Sequence, residues 1–304
     1  MRLSPKELRD RAEQARAQYR DCHLCGHHCG VDRTRGPAGR CQEGDGLWLG
    51  GAGVHFGEEP PLVGRPGEAR HGSGLVLIGG CNLACAGCET ADISLQRRSL
   101  TSVSEAGLAA LLLDLERRRA ANVNLVTPTH VLPILLAGLA RAAEGGFALP
   151  IVWNCGGYES LEALRLLEGV VDIYLPDAKY GGADEGLRYS GCADYPRVLA
   201  ECLAEMHRQV GLLAVGSGGL ATRGVLVRHL VLPEEQARPR ELMALLAAVS
   251  RDLWVNVMSQ YRPVHAASKL PLVNRRPRRD EVHLAVDAAR AAGLRNLLLD
   301  GLPV

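Results

Sequence analysis

Short apolar runs alternate with amphipathic stretches of helical period along most of this chain. Runs typical of buried strands occur at 75–78, 122–126, 150–153, 171–175, 225–231, 253–257 and 296–299. Stretches with apolar residues at helical spacing lie between them, at about 105–115, 131–144, 160–167, 198–208, 240–249 and 280–292. Repeated strand and helix units predict an α/β fold with a parallel sheet and right-handed crossovers, closed or partly closed as a barrel.

Local signals indicate where several helices begin. Ser4 is a candidate N-cap for a helix over residues 5–20. The stretch from Ser102 to Glu105 fits a capping box ahead of the next helix. Pro133 lies early in a later predicted helix, where its missing N–H costs little. These signals agree with the helix positions that the periodicity predicts.

Residues 46–74 interrupt this pattern. Pro60, Pro61 and many glycines exclude a regular helix there and predict a shaped loop. Glu58 and Glu59 stand side by side in this loop, and they are either exposed to solvent or in contact with a substrate or a cation. The loop is therefore a candidate for function, although adjacent glutamates in loops are usually solvated.

Composition places the chain among soluble globular proteins. Its 304 residues are 47% hydrophobic and 23% charged, with a formal net charge of +1 and interspersed acids and bases. No apolar run approaches the roughly 18 residues of a transmembrane helix. Residues 1–20 lack the apolar core of a signal peptide. We therefore expect a cytoplasmic protein that binds neither membranes nor nucleic acid.

Ten cysteines in such a chain indicate metal binding rather than disulfides, because the cytoplasm keeps thiols reduced. The first group has the spacing C-x2-C-x3-C-x11-C and consists of Cys22, Cys25, Cys29 and Cys41. Few apolar residues surround this group, so the pattern predicts a metal-stapled module that binds either zinc or a second iron-sulfur cluster. We expect a cysteine-rich extension over residues 1–45 and a main domain over residues 46–304.

The second group, Cys81, Cys85 and Cys88, has the spacing C-x3-C-x2-C and follows the strand predicted at 75–78. Three thiolates at this spacing can hold three corners of a four-iron cluster and leave the fourth iron without a protein ligand. A small chelating molecule can occupy that open iron and exchange electrons with the cluster. The alternatives are a zinc site, which normally takes four ligands, and cysteines without a metal.

Polar residues follow several of the predicted strands. The carboxyl ends of parallel strands meet at one end of a barrel, where such residues line the functional site. The candidates are Thr127, Asn154, Asp177, Lys179 and His229. Cys155 is a candidate catalytic residue at the same end, because a thiol can donate a hydrogen atom or capture a radical. The structural alternatives are an ion pair between Asp177 and Lys179 and a Cys155 that only fills the core.

Taken together, these stretches resemble the radical S-adenosylmethionine (SAM) superfamily, and within it an iron-sulfur family similar to the pyruvate formate-lyase activating enzyme. The resemblance covers nearly the whole chain from Cys22. It rests on blocks at 22–29, 55–64, 80–83, 126–130, 172–180, 228–233 and 260–261, which occur in this order.

The resemblance implies a partial (β/α)6 barrel of the radical SAM type, with a [4Fe-4S] cluster on Cys81, Cys85 and Cys88 and SAM on its open iron. One electron from a flavodoxin- or ferredoxin-type donor would cleave SAM to a 5′-deoxyadenosyl radical that abstracts hydrogen from a substrate. Asp177 and Lys179 would face SAM. The substrate is a glycyl-radical enzyme, a peptide or a small metabolite, and the alternative class is a non-catalytic iron-sulfur protein for electron transfer or metal sensing.

Three stretches depart from the pattern of such relatives. Gly87 precedes the third cysteine, where an aromatic or bulky residue commonly packs near the adenine. The run from Glu89 to Ala91 replaces a Gln-Asn-Tyr-like run, and Thr127 to Thr129 replaces the Gly-Gly-Glu run that often meets the SAM amine. Recognition of adenine and of the amine is therefore expected to involve other residues.

Overall fold

Strands and helices alternate along the chain in the computed structural model, which describes residues 3–304. The strands are β1 (Leu47–His55), β2 (Ser73–Ile78), β3 (Thr101–Val103), β4 (Val123–Val126), β5 (Ile151–Cys155), β6 (Ile173–Pro176), β7 (Ala214–Val215), β8 (Ala221–Leu230), β9 (Trp254–Met258), β10 (Asn296–Leu299) and β11 (Leu302–Pro303). The helices are α1 (Pro5–Ala17), α2 (Pro60–Val63), α3 (Ala91–Ser94), α4 (Glu105–Arg117), α5 (Leu132–Glu144), α6 (Leu161–Leu166), α7 (Ala183–Ser190), α8 (Tyr195–Val210), α9 (Pro239–Val249) and α10 (Arg279–Ala291).

The described strands form one open, mostly parallel sheet of 11 strands. The parallel part runs in the order β2, β4, β5, β6, β8, β9, β10. Antiparallel strands β1 and β3 extend it beyond β2, β11 extends it beyond β10, and β7 pairs with β8. The predicted α/β fold with a parallel sheet is confirmed. The sheet is not closed, because its end strands β3 and β11 do not pair with each other.

The sheet separates two apolar clusters. On one face the long helices pack on strand residues such as Trp153, Tyr174 and Val227. The opposite face carries a smaller cluster that contains Val152, Ile173, Leu175, Leu226 and Leu298, and Leu62 of α2 packs into it. Successive side chains of a strand point to opposite faces, which explains why Val152 and Trp153 belong to different clusters. We call the face of the smaller cluster the inner face.

Strand β1 occupies residues for which the glycines and prolines predicted a loop. His55 lies opposite Ser73 and Leu49 opposite Ile78, with a register shift between Leu49 and Gly51. Glycine has a low intrinsic preference for strands, but the antiparallel partner β2 supplies the backbone hydrogen bonds that stabilise this one. The loop prediction was therefore wrong for the first part of 46–74. The short helix α2 also begins at Pro60, where the prolines were expected to exclude a helix, because proline is tolerated in a first turn.

The observed N-caps of α1 and α4 can be compared with the predicted ones. Ser4 forms the predicted capping box with Glu7 at the start of α1. At α4 the cap is Ser104, whose hydroxyl accepts a 3.1 Å hydrogen bond from the N–H of Gly107. Ser102 lies in β3 instead, so the predicted capping box at this helix was wrong by two residues.

The N-terminal helix packs on the main body. The buried residues Leu8, Ala12 and Ala15 of α1 belong to the same apolar cluster as the long helices. The division at residue 45 stays a prediction, and residues 1 and 2 of the proposed extension lie outside the described residues. No helix within residues 3–304 is both long and apolar enough to cross a membrane.

The two assignments of the α4 cap are distinguishable by experiment. Ser104→Ala should lower the free energy of unfolding by about 1 kcal/mol, because it leaves a first-turn N–H without its acceptor. Ser102→Ala, the matched control on the exposed strand β3, should change it by less than about 0.5 kcal/mol. Urea denaturation followed by circular dichroism measures both, and a larger loss for Ser102→Ala would contradict the observed cap.

Candidate functional site

A cavity of about 270 Å³ opens at the carboxyl ends of the parallel strands. Cys81, Cys85 and Cys88 line it from the cysteine loop, residues 79–90, which follows β2. The loop begins at Gly80 with φ of +81°, and a Cβ atom there would lie 2.5 Å from Oε1 of Glu43. Only glycine fits this conformation and this close contact, so the turn directs the following cysteine into the cavity.

The thiols of the cysteine loop have hydrogen-bond partners within it or beside it. The N–H of Leu83 lies 3.4 Å from Sγ of Cys81, and the hydroxyl of Ser190 donates to Sγ of Cys85 over 3.1 Å. Burial and, to a smaller extent, the neighbouring Cys85 raise the pKa of Cys81 to about 12. The Cys81 thiol therefore resists ionisation unless a bound cation stabilises its thiolate.

Five of the residues predicted from strand ends lie in the wall of this cavity. They are Thr127, Asn154, Cys155, Asp177 and Lys179. The structure therefore brings the predicted polar set together with the three cysteines. Among the described residues, no three His, Cys, Asp or Glu side chains converge tightly enough to define a metal-binding group.

His229 is the predicted cofactor-binding residue that the structure does not bring to the cavity. Its neighbour Arg228 lines the cavity, so the alternation along β8 directs His229 towards the helices. Its Nδ1 donates to the carbonyl of Ala178 over 2.9 Å, and its side chain is fully buried. His229 is therefore in a structural position.

Asp177 and Lys179 form an ion pair of 2.7 Å on the cavity wall. Burial opposes the charge on Lys179, but Asp177 outweighs that effect and raises the pKa of the ammonium group well above its usual value. The N–H of Lys179 also donates to the hydroxyl of Tyr195 over 3.0 Å, which fixes the backbone between the two charges. The wall thus presents one carboxylate and one ammonium group side by side.

Cys155 lies apart from the other three cysteines of the cavity. Burial and the nearby carboxyl of Glu159 raise the pKa of its thiol well above the usual value. By contrast, the neighbours that act on Cys81 are Cys85 and Cys88. Cys155 is therefore a protonated thiol on the cavity wall.

Tyr261 occupies the space beside Gly87. A Cβ atom on Gly87 would lie 3.1 Å from Cε2 of the Tyr261 ring. The ring is almost fully buried, and its hydroxyl donates to the carbonyl of Val273 over 2.7 Å. An aromatic side chain is thus present next to the third cysteine, although it comes from the segment after β9. The only sequence signal for it was the Gln260-Tyr261 pair behind a predicted strand.

Glu58 and Glu59 form ion pairs with Arg228, which lines the cavity. Both carboxylates bind the guanidinium of Arg228, with 2.8 Å from its Nε to Glu59, and Asn256 donates to Glu59 over 2.8 Å. Burial would raise the pKa of Glu59, but Arg228 and these hydrogen bonds lower it. The glutamates are therefore buried and paired, which the expectation of solvated loop residues did not foresee.

The N-terminal cysteine segment, residues 21–45, lies against the cysteine loop. Burial raises the pKa of the Cys25 thiol, and repulsion from Cys22, Cys29 and Cys41 acts in the same direction. His27 donates through Nε2 to the carbonyl of Asn82 over 2.8 Å. A direct hydrogen bond thus joins the segment to the loop that holds the other three cysteines.

Fold and site together define an α/β protein with a cysteine-lined cavity at the carboxyl ends of its parallel strands. No family model matches the chain. It is similar to an uncharacterized protein of Methanocaldococcus jannaschii, with 29% identity over 300 residues, 96% of this chain and 81% of that protein. The similarity therefore extends over nearly the whole chain.

Two buried titratable groups behind the cavity oppose each other in their pH dependence. His130 donates through Nε2 to the carbonyl of Gly79 over 2.8 Å, and burial lowers its pKa from 6.5 to about 4. Glu159 accepts from Thr129, and burial raises its pKa from 4.5 to about 7. His130 therefore contributes stability above pH 6.5 that is lost as the pH falls through 4. Glu159 contributes stability below pH 4.5 that is lost as the pH rises through 7.

Conservative variants should separate these two effects between pH 4.5 and 6.5. Relative to the unsubstituted protein, His130→Gln should gain stability as the pH falls, and Glu159→Gln should gain stability as the pH rises. Each effect is at most about 3 kcal/mol over the full range between the two pKa values. Urea denaturation at several pH values measures the difference from the unsubstituted protein. Curves that stay parallel to it would contradict the buried, shifted pKa values.

Proposed function

We propose that this chain is a radical SAM enzyme that binds a [4Fe-4S] cluster through Cys81, Cys85 and Cys88. The observation that carries the proposal is that the three cysteines of one loop face a cavity at the carboxyl ends of parallel strands. When bound together, the cluster and SAM supply a 5′-deoxyadenosyl radical by one-electron reductive cleavage. The partial barrel of the radical SAM type is the form of α/β fold that this proposal implies.

The donor set suits such a cluster. The thiols of Cys81, Cys85 and Cys88 line the cavity, and a cationic iron centre would take up their thiolate forms, including that of Cys81, whose pKa burial raises. The charges that act on Cys155, the other cysteine on the cavity wall, are those of Glu159 and Cys202. The loop therefore offers three ligands, which leaves one iron for an exogenous ligand.

The ion pair of Asp177 and Lys179 would orient SAM. Its methionyl part carries an amine and a carboxylate, and the pair presents an acceptor and a donor for these groups on the same wall. Asn154 and Thr127 add neutral polar groups to that wall. Asp177 and Lys179 would thus contact the amine and the carboxylate of SAM. This proposal accounts for the absence of a Gly-Gly-Glu run after β4, because that run often meets the SAM amine in similar enzymes.

Tyr261 would provide the aromatic surface for adenine. Its ring stands beside Gly87, where relatives of the proposed class commonly have a bulky side chain. The apolar side chains of Leu230, Leu232, Met258 and Val273 line the same cavity and exclude water from it. Cys155, a protonated thiol that also lines the cavity, would donate a hydrogen atom to a substrate radical.

The reductant in this proposal is a flavodoxin- or ferredoxin-type protein, and the reaction takes place in the cytoplasm. The substrate is a glycyl-radical enzyme, a peptide or a small metabolite.

A second candidate function is non-catalytic electron transfer or metal sensing. The contact between His27 and Asn82 favours it, because this contact joins the two cysteine groups of the chain directly.

Formation of 5′-deoxyadenosine separates the two candidates. After anaerobic reconstitution with iron and sulfide, the protein should cleave SAM when dithionite is added, and Cys81→Ala should lose both the cluster and the product. Cys202→Ala, a buried cysteine on α8 away from the cavity, is the control that should keep both. Fully loaded protein that forms no 5′-deoxyadenosine would exclude the enzyme and leave the electron-transfer function.

We expect the N-terminal cysteine segment to bind a metal of its own. A Cys22→Ala, Cys25→Ala, Cys29→Ala triple variant should lose one kind of metal while the cluster on the cysteine loop is retained. Loss of zinc would identify a structural zinc site, and loss of iron with an equal amount of sulfide would identify a second cluster. Metal analysis of the purified proteins gives the answer, and an unchanged metal content would show that the segment binds no metal.

A further inference from the structure

The carboxyl end of α7 is joined to the cysteine loop at two consecutive residues. The carbonyl of Tyr189 accepts a 2.7 Å hydrogen bond from the N–H of Ala86. The hydroxyl of the next residue, Ser190, donates to Sγ of Cys85 over 3.1 Å. The first contact fixes the loop backbone, so the second places a hydroxyl proton on one particular sulfur.

Two hydrogen bonds and the turn at Gly191 hold Ser190 in this orientation. The hydroxyl of Tyr180 lies 3.0 Å from Oγ of Ser190, and the carbonyl of Ser190 accepts a 3.0 Å hydrogen bond from Nη2 of Arg40. Gly191 ends α7 with φ of +70°, and a Cβ atom there would lie 2.9 Å from the same nitrogen of Arg40. Since the single proton of the Ser190 hydroxyl goes to Cys85, the Tyr180 hydroxyl is the donor in its pair with Ser190.

Cys88 has a serine neighbour that behaves differently. Oγ of Ser94 lies 3.1 Å from Sγ of Cys88. The proton of this hydroxyl is already donated to the carbonyl of Thr90 over 3.0 Å, so its lone pairs face the sulfur. Two serines thus lie at the same distance from two sulfurs of the loop, and one of them donates to its sulfur.

We propose that Ser190, oriented by Tyr180, is a positioning residue that raises the reduction potential of the cluster through its hydrogen bond to Cys85. The inference rests on the proposed function. A hydrogen bond to a ligand sulfur withdraws negative charge and stabilises the reduced, more negative cluster. Ser190 therefore makes the cluster easier to reduce by a flavodoxin- or ferredoxin-type donor, while Ser94 has no such effect.

The test is a redox titration of reconstituted protein followed by electron paramagnetic resonance. The signal to follow is the one that SAM alters, which separates this cluster from any centre on the N-terminal cysteine segment. Ser190→Ala should shift the midpoint potential to a more negative value, and Tyr180→Phe should shift it less in the same direction. Ser94→Ala is the matched control and should leave the potential unchanged.

Ser190→Thr retains the hydroxyl and should restore the potential of the unsubstituted protein, which shows that any shift comes from the hydrogen bond rather than from disturbed folding. Equal potentials in Ser190→Ala and the unsubstituted protein, at equal iron content, would overturn this inference and leave the proposed function intact. Equal shifts in Ser190→Ala and Ser94→Ala would overturn it as well. If the unsubstituted protein binds no four-iron cluster, the proposed function fails and this inference fails with it.

Discussion

The structure depends on holding the cysteine loop in place at the carboxyl ends of the strands, where burial and the neighbouring Cys85 and Cys88 oppose ionisation of the Cys81 thiol. The cysteine loop is too short to do this alone, and it is held by contacts from distant parts of the chain. His27 binds the carbonyl of Asn82, and α7 binds Ala86 and Cys85. The N–H of Ala267, after β9, donates to the carbonyl of Ala86 over 2.9 Å. The fold therefore brings three separate segments to one loop before any metal is bound.

Much of the fold was predictable because the buried strands are short apolar runs and the long helices carry apolar residues at helical spacing. The strands β4, β5, β6, β8, β9 and β10 and the long helices lie within a few residues of the predicted ranges. Elements that depend on a partner were not predictable. Strand β1 is rich in glycine and is stabilised by its pairing with β2. Helix α7 buries Tyr189 and Ser190 but exposes its only leucine, Leu187, so it has no apolar pattern to detect.

The same distinction applies to the site. The rule that polar residues follow parallel strands correctly placed Thr127, Asn154, Asp177 and Lys179 in the cavity wall. The same rule placed His229 wrongly. Adjacent residues of one strand point to opposite faces of the sheet, and Arg228 points to the inner face. Residues that enter from other segments are harder to predict: the signal for Tyr261 was the Gln260-Tyr261 pair behind a predicted strand, and Ser190 follows from the tertiary structure alone. The roles of the cysteines remain a chemical expectation based on their spacing and grouping.

The contact between Gly87 and Tyr261 has an evolutionary consequence. The two positions share one volume, so a larger side chain at 87 requires a smaller or displaced one at 261. Selection can keep an aromatic surface at this point while exchanging which segment of the chain supplies it. A motif read along consecutive residues would record such an exchange as a loss, whereas the three-dimensional site would be unchanged. A comparison of sequences should therefore consider positions 87 and 261 together rather than each position alone.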